Sequence, residues 1–226
     1  GEVYMEILEN NKRALKHVMP KFLEQRLAAA GVKNVFLEMA ADGERIFGIE
    51  RENRKWYLNS RYDTAFAAAV YAGRYQIRTY GTYFVFGFSD GRHVREFLKK
   101  CDDTNHIVIC EPSVEIFEEC CEQFDVSDIL EDKRVQFYIP DATDSIEDIM
   151  KKNLQYSDFT FTEFCILPGY DILFHEECEE FQNLIIERMR DEAVKKGTSL
   201  SFQRVIPRNT LYNICLLYTS PSPRDR

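Results

Sequence analysis

From Gly81 onward the chain alternates short apolar runs with helix-length ones: Tyr83 to Phe86, Arg92 to Lys100, Ile107 to Cys110, Val114 to Phe124, Val135 to Ile139, Ile146 to Leu154 and Phe161 to Leu167. Strands that are apolar throughout must be buried on both faces. Parallel neighbours need a crossover of about a dozen residues or more, which a helix supplies. The pattern therefore predicts the α/β class: a Rossmann-like parallel sheet flanked by helices over residues 81–206.

Ahead of this block, residues 1–33 carry apolar side chains at helical spacing (Ile7, Leu8, Ala14, Leu15, Val18, then Phe22, Leu23, Leu27), with Pro20 able to break or restart the helix. They read as a helical N-terminal arm. Residues 34–80 read as a small antiparallel β-meander plus a helix. Val35-Phe36-Leu37 and Ile46 to Ile49 flank the turn signal Asp42-Gly43, and Trp56-Tyr57-Leu58 follows Glu52-Asn53. Asp63 is placed to cap an alanine-rich helix, Ala65 to Tyr75, whose end Gly73 marks. Asp144-x-x-Glu147 reads as a capping box. Phe174 to Lys196 is a long amphipathic helix stopped by Gly197, and its acidic run, Glu176 to Glu180, suits the positive end of the helix dipole. Leu200 to Ile206 leads to a helix begun by Pro207, so residues 207–215 read as the start of a linker to a further domain. Residues 216–226 resemble a translated sequencing-adapter tail, and the chain starts at Gly1 instead of Met. The expectation is a fragment cut short near Ile214.

A net charge of -9 and a pI near 5.1 argue against binding to nucleic acid or an anionic membrane surface, which the long-range field would repel. No apolar run approaches the roughly 20 residues that span a bilayer, and there is no signal-peptide pattern. The seven cysteines are odd in number, lie in or beside apolar runs and form no C-x-x-C pair. They predict reduced core thiols and a cytoplasmic protein, with no zinc site.

The one segment that approaches a ligand site is the glycine-bracketed loop Gly87-Phe88-Ser89-Asp90-Gly91, between a strand and a helix. A glycine there lets the chain turn sharply, and the helix N-terminus beyond offers free N–H groups to a phosphate or carboxylate. Glu111 closes the next strand, where an acid meets ribose hydroxyls in a Rossmann site. Asp141, past the third strand, could reach a purine base. Together Gly87, Ser89, Asp90, Gly91, Glu111 and Asp141 form a candidate nucleotide site, of the kind an S-adenosylmethionine-dependent methyltransferase uses. Against it, Ser89 replaces the glycine that admits pyrophosphate and Asp90 adds negative charge, so a purely structural turn is the competing reading. Asn59-Ser60-Arg61-Tyr62-Asp63 reads as a capped loop, with Arg61 and Tyr62 available for a domain or partner contact. His93, in the first turn after the loop, reads as a surface histidine or a contact residue. The chain has no G-x-S-x-G elbow, Walker loop or H-E-x-x-H, so no catalytic residue is assigned.

Several of these motifs in order resemble a known family. Asn59-Ser60-Arg61-Tyr62-Asp63, Phe84 through Glu96 with its loop Gly87 to Gly91, Ile109-Cys110-Glu111-Pro112-Ser113, Pro168-Gly169-Tyr170-Asp171 and Asn209 to Ile214 are similar to the N-terminal domain of the motility accessory factor family, bacterial proteins also described as 6-hydroxymethylpterin diphosphokinase MptE-like. The resemblance implies a non-catalytic module of a multi-domain glycosyltransferase. That enzyme would transfer a nonulosonic acid from a CMP-activated donor to flagellin, and its catalytic domain would follow this region and be the module's partner. It implies no cofactor for this fragment. Family members commonly carry a second glycine where Ser89 stands.

Overall fold

The computed structural model describes residues 7–28, 34–153 and 161–195. The predicted segment 200–206, the helix from Pro207, the tail 216–226 and Cys215 lie outside the described residues. The arm forms two helices, α1 (Glu9–Val18) and α2 (Pro20–Ala28). Pro20 opens the second, where its missing N–H costs no helical bond. The meander follows as predicted: β1 (Val35–Met39), β2 (Arg45–Arg51) and β3 (Arg54–Tyr57) form an antiparallel sheet in that order. Glu52 and Asn53, with φ of 54° and 58°, make the two-residue turn between β2 and β3, a conformation whose twist matches that of paired strands. Asp63 caps α3 (Thr64–Gly73), accepting from the Phe66 N–H at 2.8 Å. Asp42 in the first hairpin turn accepts from both the N–H and the hydroxyl of Thr64, which ties the meander to the start of α3.

The rest is β4 (Thr82–Phe86), α4 (Arg92–Leu98), β5 (His106–Cys110), α5 (Val114–Gln123), α6 (Ser127–Leu130), β6 (Val135–Tyr138), α7 (Ile146–Asn153), β7 (Thr162–Ile166), α8 (Tyr170–Leu173) and α9 (His175–Lys195). All four strands are parallel, in the order β6-β5-β4-β7. Every residue of β4 is buried, as its unbroken apolar sequence requires. Tyr83 packs on Phe97 of α4 on one face of the sheet. Phe84 and Phe86 pack on Phe181 of α9 on the other.

Two local expectations are corrected. The cap of α7 is Ser145, whose hydroxyl accepts from the Asp148 N–H at 3.2 Å. Asp144 is drawn away into ion pairs with Lys21 of α2 and Lys152 of α7. The four-residue helices α6 and α8 were not expected, because one turn is too short to register a hydrophobic period.

The described parts of the arm, the meander and the parallel sheet share a single core, in which Leu15 and Phe22 of the arm, Phe47 of the meander and Phe117 of the sheet layer are all essentially inaccessible. Asn11 fixes the arm. Fully buried, it donates to the carbonyls of Cys121 and Phe124 and accepts from the Val126 N–H at 2.9 Å, so it satisfies the end of α5 and the turn into α6. Truncating it strands buried backbone groups, each costing about 1–3 kcal/mol. Asn11→Ala is therefore expected to lose about 3 kcal/mol in urea unfolding, whereas Asn10→Ala, at an exposed position, is expected to lose less than about 0.5 kcal/mol.

Candidate functional site

The strand order makes β4 the switch point of the sheet. From β4 the chain proceeds outward to β5 and β6, then returns to lay β7 on the other side of β4. In open α/β sheets ligands bind in the crevice outside the carboxyl ends of the strands at such a point. Here that crevice is bounded by the Gly87–Gly91 loop after β4, by Glu111 after β5, and by the Leu167-Pro168-Gly169-Tyr170 turn after β7.

The chain fills it. Gly87 has a φ of 101°, and a Cβ there would stand 2.8 Å from the ring of Tyr170, so the glycine serves close contact with the protein's own aromatic ring. The Tyr170 hydroxyl donates to Glu111 Oε2 at 2.8 Å and accepts from the Ser89 N–H at 3.0 Å. Glu111, fully buried, also accepts from the N–H groups of Phe88 at 2.9 Å and Ser113 at 3.0 Å. The loop N–H groups that a phosphate would seek are thus turned onto an internal carboxylate. Phe88 points into the core against Phe137 and Phe117, and Phe22 of the arm covers Phe117 edge-on.

Ser89 has a φ of 54°, in the region where glycine is at ease, which explains why this position suits a glycine. Its hydroxyl donates to the carbonyl of Leu58 at 3.1 Å, at the end of the meander. Asp90, also buried, accepts from Asn59 Nδ2 at 2.7 Å and from the Arg92 N–H at 3.0 Å. Its negative charge is therefore satisfied by the loop before α3 and the start of α4. Gly91, with a φ of 79°, leaves only 2.9 Å between a would-be Cβ and Val126.

The predicted site residues thus divide. Gly87, Ser89, Asp90, Gly91 and Glu111 come together in one buried cluster. Asp141 stands apart, exposed beyond β6 with a φ of 64°, its carbonyl accepting from Gln25 of α2. Arg61 and Tyr62 are exposed, with the Arg61 guanidinium over the Tyr57 ring at 4.6 Å. The surface reading of His93 is corrected: it is 2% exposed, with its ring edge-on to Tyr71, and burial lowers its pKa. Tyr170 and Asn59 complete the cluster. Tyr170 was legible only as part of a sequence motif, since nothing in its local pattern says that β7 lies beside β4.

Burial pushes the Glu111 carboxyl up to about 7, against the donors Ser113, Phe88, Tyr170 and the Ser89 N–H, which also lies 3.4 Å from Oε2; these favour the ionised form. Tyr170 is held well above its ordinary value by burial and by the neighbouring carboxylate, so it remains a donor. Burial likewise raises the thiols of Cys110, Cys120 and Cys165 far above the usual range, and that of Cys101 to about 11. None of these supplies a thiolate nucleophile at neutral pH. Among the described residues, no group of three or more histidine, cysteine, aspartate or glutamate side chains could hold a metal ion, and no helix is long and apolar enough to cross a membrane.

No family model matches the sequence, and no curated protein matches it. Similar solved structures include spermidine synthase from Thermotoga maritima, at 12% identity and a TM-score of 0.36 over 62% of this chain and 57% of that one. MnmC2 from Aquifex aeolicus is 12% identical, with a TM-score of 0.34 over 74% of this chain and 59% of that one. The chain spans less than two thirds of the length of either.

Two outcomes follow from the buried cluster. Tyr170→Phe removes the hydroxyl that serves both Glu111 and Ser89 and is expected to cost about 1–3 kcal/mol in chemical denaturation. Glu111, raised from its ordinary 4.5 to about 7, binds a proton more readily in the folded chain, so its contribution to stability falls as pH rises between those values, by up to about 3 kcal/mol. His93, whose pKa is lowered, gives an opposite slope near its ordinary 6.5. The quantity to measure is therefore the difference between wild type and Glu111→Gln across pH 4.5 to 7, which is expected to follow the sign given for Glu111.

Proposed function

We propose that this chain is a non-catalytic Rossmann-like module that serves in domain packing or in recognition of a protein acceptor. The observation that carries this reading is the buried switch point: the Tyr170 ring stands against Gly87, and the loop N–H groups donate inward to Glu111 and the Tyr170 hydroxyl. The parent assignment, an N-terminal module of a motility accessory factor-type glycosyltransferase acting on flagellin with a CMP-activated nonulosonic acid, rests on the ordered sequence motifs alone. Sequencing the gene past Ile214 tests it, with a glycosyltransferase-like domain expected downstream.

A second reading, a small S-adenosylmethionine-dependent methyltransferase, is favoured by one observation: the Gly87 loop, Glu111 and Asp141 all follow the carboxyl ends of successive parallel strands. It requires Tyr170 to leave the crevice and Glu111 to exchange its internal donors for ribose hydroxyls. Titration calorimetry discriminates. The packed crevice is expected to give no heat with millimolar S-adenosylmethionine, NAD or CMP. Saturable heat with S-adenosylmethionine that disappears in Glu111→Ala would replace the first reading with the second.

A further inference from the structure

Helix α3 is apolar on both sides. Between Thr64 and Gly73 it has no charged residue, and Ala68, Tyr71 and Ala72 face the core. A helix apolar all round is normally buried all round. The outer face of α3 is instead open: Tyr62, just before the helix, is 78% exposed, Phe66 66% and Val70 40%. With 3.6 residues per turn, Phe66 and Val70 succeed one another along a single stripe, Ala69 and Gly73 lie beside them as small, exposed positions, and Tyr62 extends the exposed apolar surface just before the helix begins.

The charges that frame this stripe say what covers it. Asp63, which caps the start of α3 through the Phe66 N–H, and Arg74, at its end, are both exposed. The stripe therefore carries an acid at one end and a base at the other. A second copy of α3 laid antiparallel across the first brings its own arginine end to the aspartate end, twice over. The large residues Phe66 and Val70 then meet the partner's Val70 and Phe66, and the small Ala69 sits near the dyad where the backbones approach most closely. Two-fold symmetry is the commonest way for a chain to bury a self-complementary patch.

We propose that α3 is a homodimer interface, in which two copies of this chain pack α3 against α3 antiparallel about a two-fold axis near Ala69, with Asp63 of each copy paired to the partner's Arg74. Tyr62, an exposed aromatic at the rim, and Phe66, the largest exposed side chain of α3, supply most of the apolar contact.

Sedimentation velocity from micromolar to hundreds of micromolar tests this with three proteins. The unaltered chain is expected to show a reversible monomer–dimer equilibrium. Phe66→Glu puts an acid in the first turn of α3, where the helix dipole favours it, so the fold is retained while the anchor becomes charged. It is expected to weaken association by at least about 100-fold. Arg74→Glu sets like charges together at both ends and is expected to weaken association roughly tenfold at low salt, with the difference shrinking as salt is added. Circular dichroism of both variants should match the parent. A monomer throughout the range, or a dimer untouched by Phe66→Glu, would overturn the proposal, and a partner of another kind would then be sought for this face.

Discussion

A buried carboxylate must be surrounded by donors or give up its charge, and that requirement at Glu111 organises the carboxyl edge of the sheet. Its donors come from three elements: the loop after β4 through Phe88, the start of α5 through Ser113, and α8 through Tyr170. Each is set by a different strand, so the carboxylate joins β4, β5 and β7 at the place where an open sheet would otherwise part. The left-handed backbone at Gly87 and Ser89 follows from this arrangement, because the loop must curl to aim its N–H groups at the carboxylate and admit the Tyr170 ring.

The remaining elements close around that junction. The end of the meander supplies the Leu58 carbonyl to Ser89 and the Asn59 amide to Asp90. The arm, anchored by Asn11, brings Phe22 over Phe117, which in turn backs Phe88. The rings of Phe88 and Tyr170 are fully buried at this edge of the sheet. A sheet order that can bind nucleotides and a site that does so are separate properties, and the second lies in the side chains at the strand ends.

Much of this was legible in the residues. Apolar runs of strand length at helical separation could only be a parallel sheet, and Asp63 could be read as a cap because its side chain needs nothing beyond the next turn. The failures have local causes too. At α7, Asp144 and Ser145 are both competent caps, and two lysines from different elements decided between them by claiming the aspartate. His93 looked like a surface residue because only the packing of α4 on α3 places Tyr71 over it. Gly87 and Glu111 were recognised as neighbours across β4 and β5, but whether their polar groups faced outward to a ligand or inward to each other depended on Tyr170, 59 residues beyond Glu111 along the chain.

By itself the sequence determined what local physics controls: the strand and helix periods, the turns at Asp42-Gly43 and Glu52-Asn53, and the glycine loop that must bend after β4. Tertiary structure alone decided what the loop bends toward. Return of the chain to the far side of β4 places Tyr170 against Gly87, and burial there leaves Glu111 no water to bind, so the loop N–H groups become its solvent. The same local motif can therefore cradle a phosphate in one protein and a carboxylate of its own in this one, because the choice belongs to a residue that only the fold brings near.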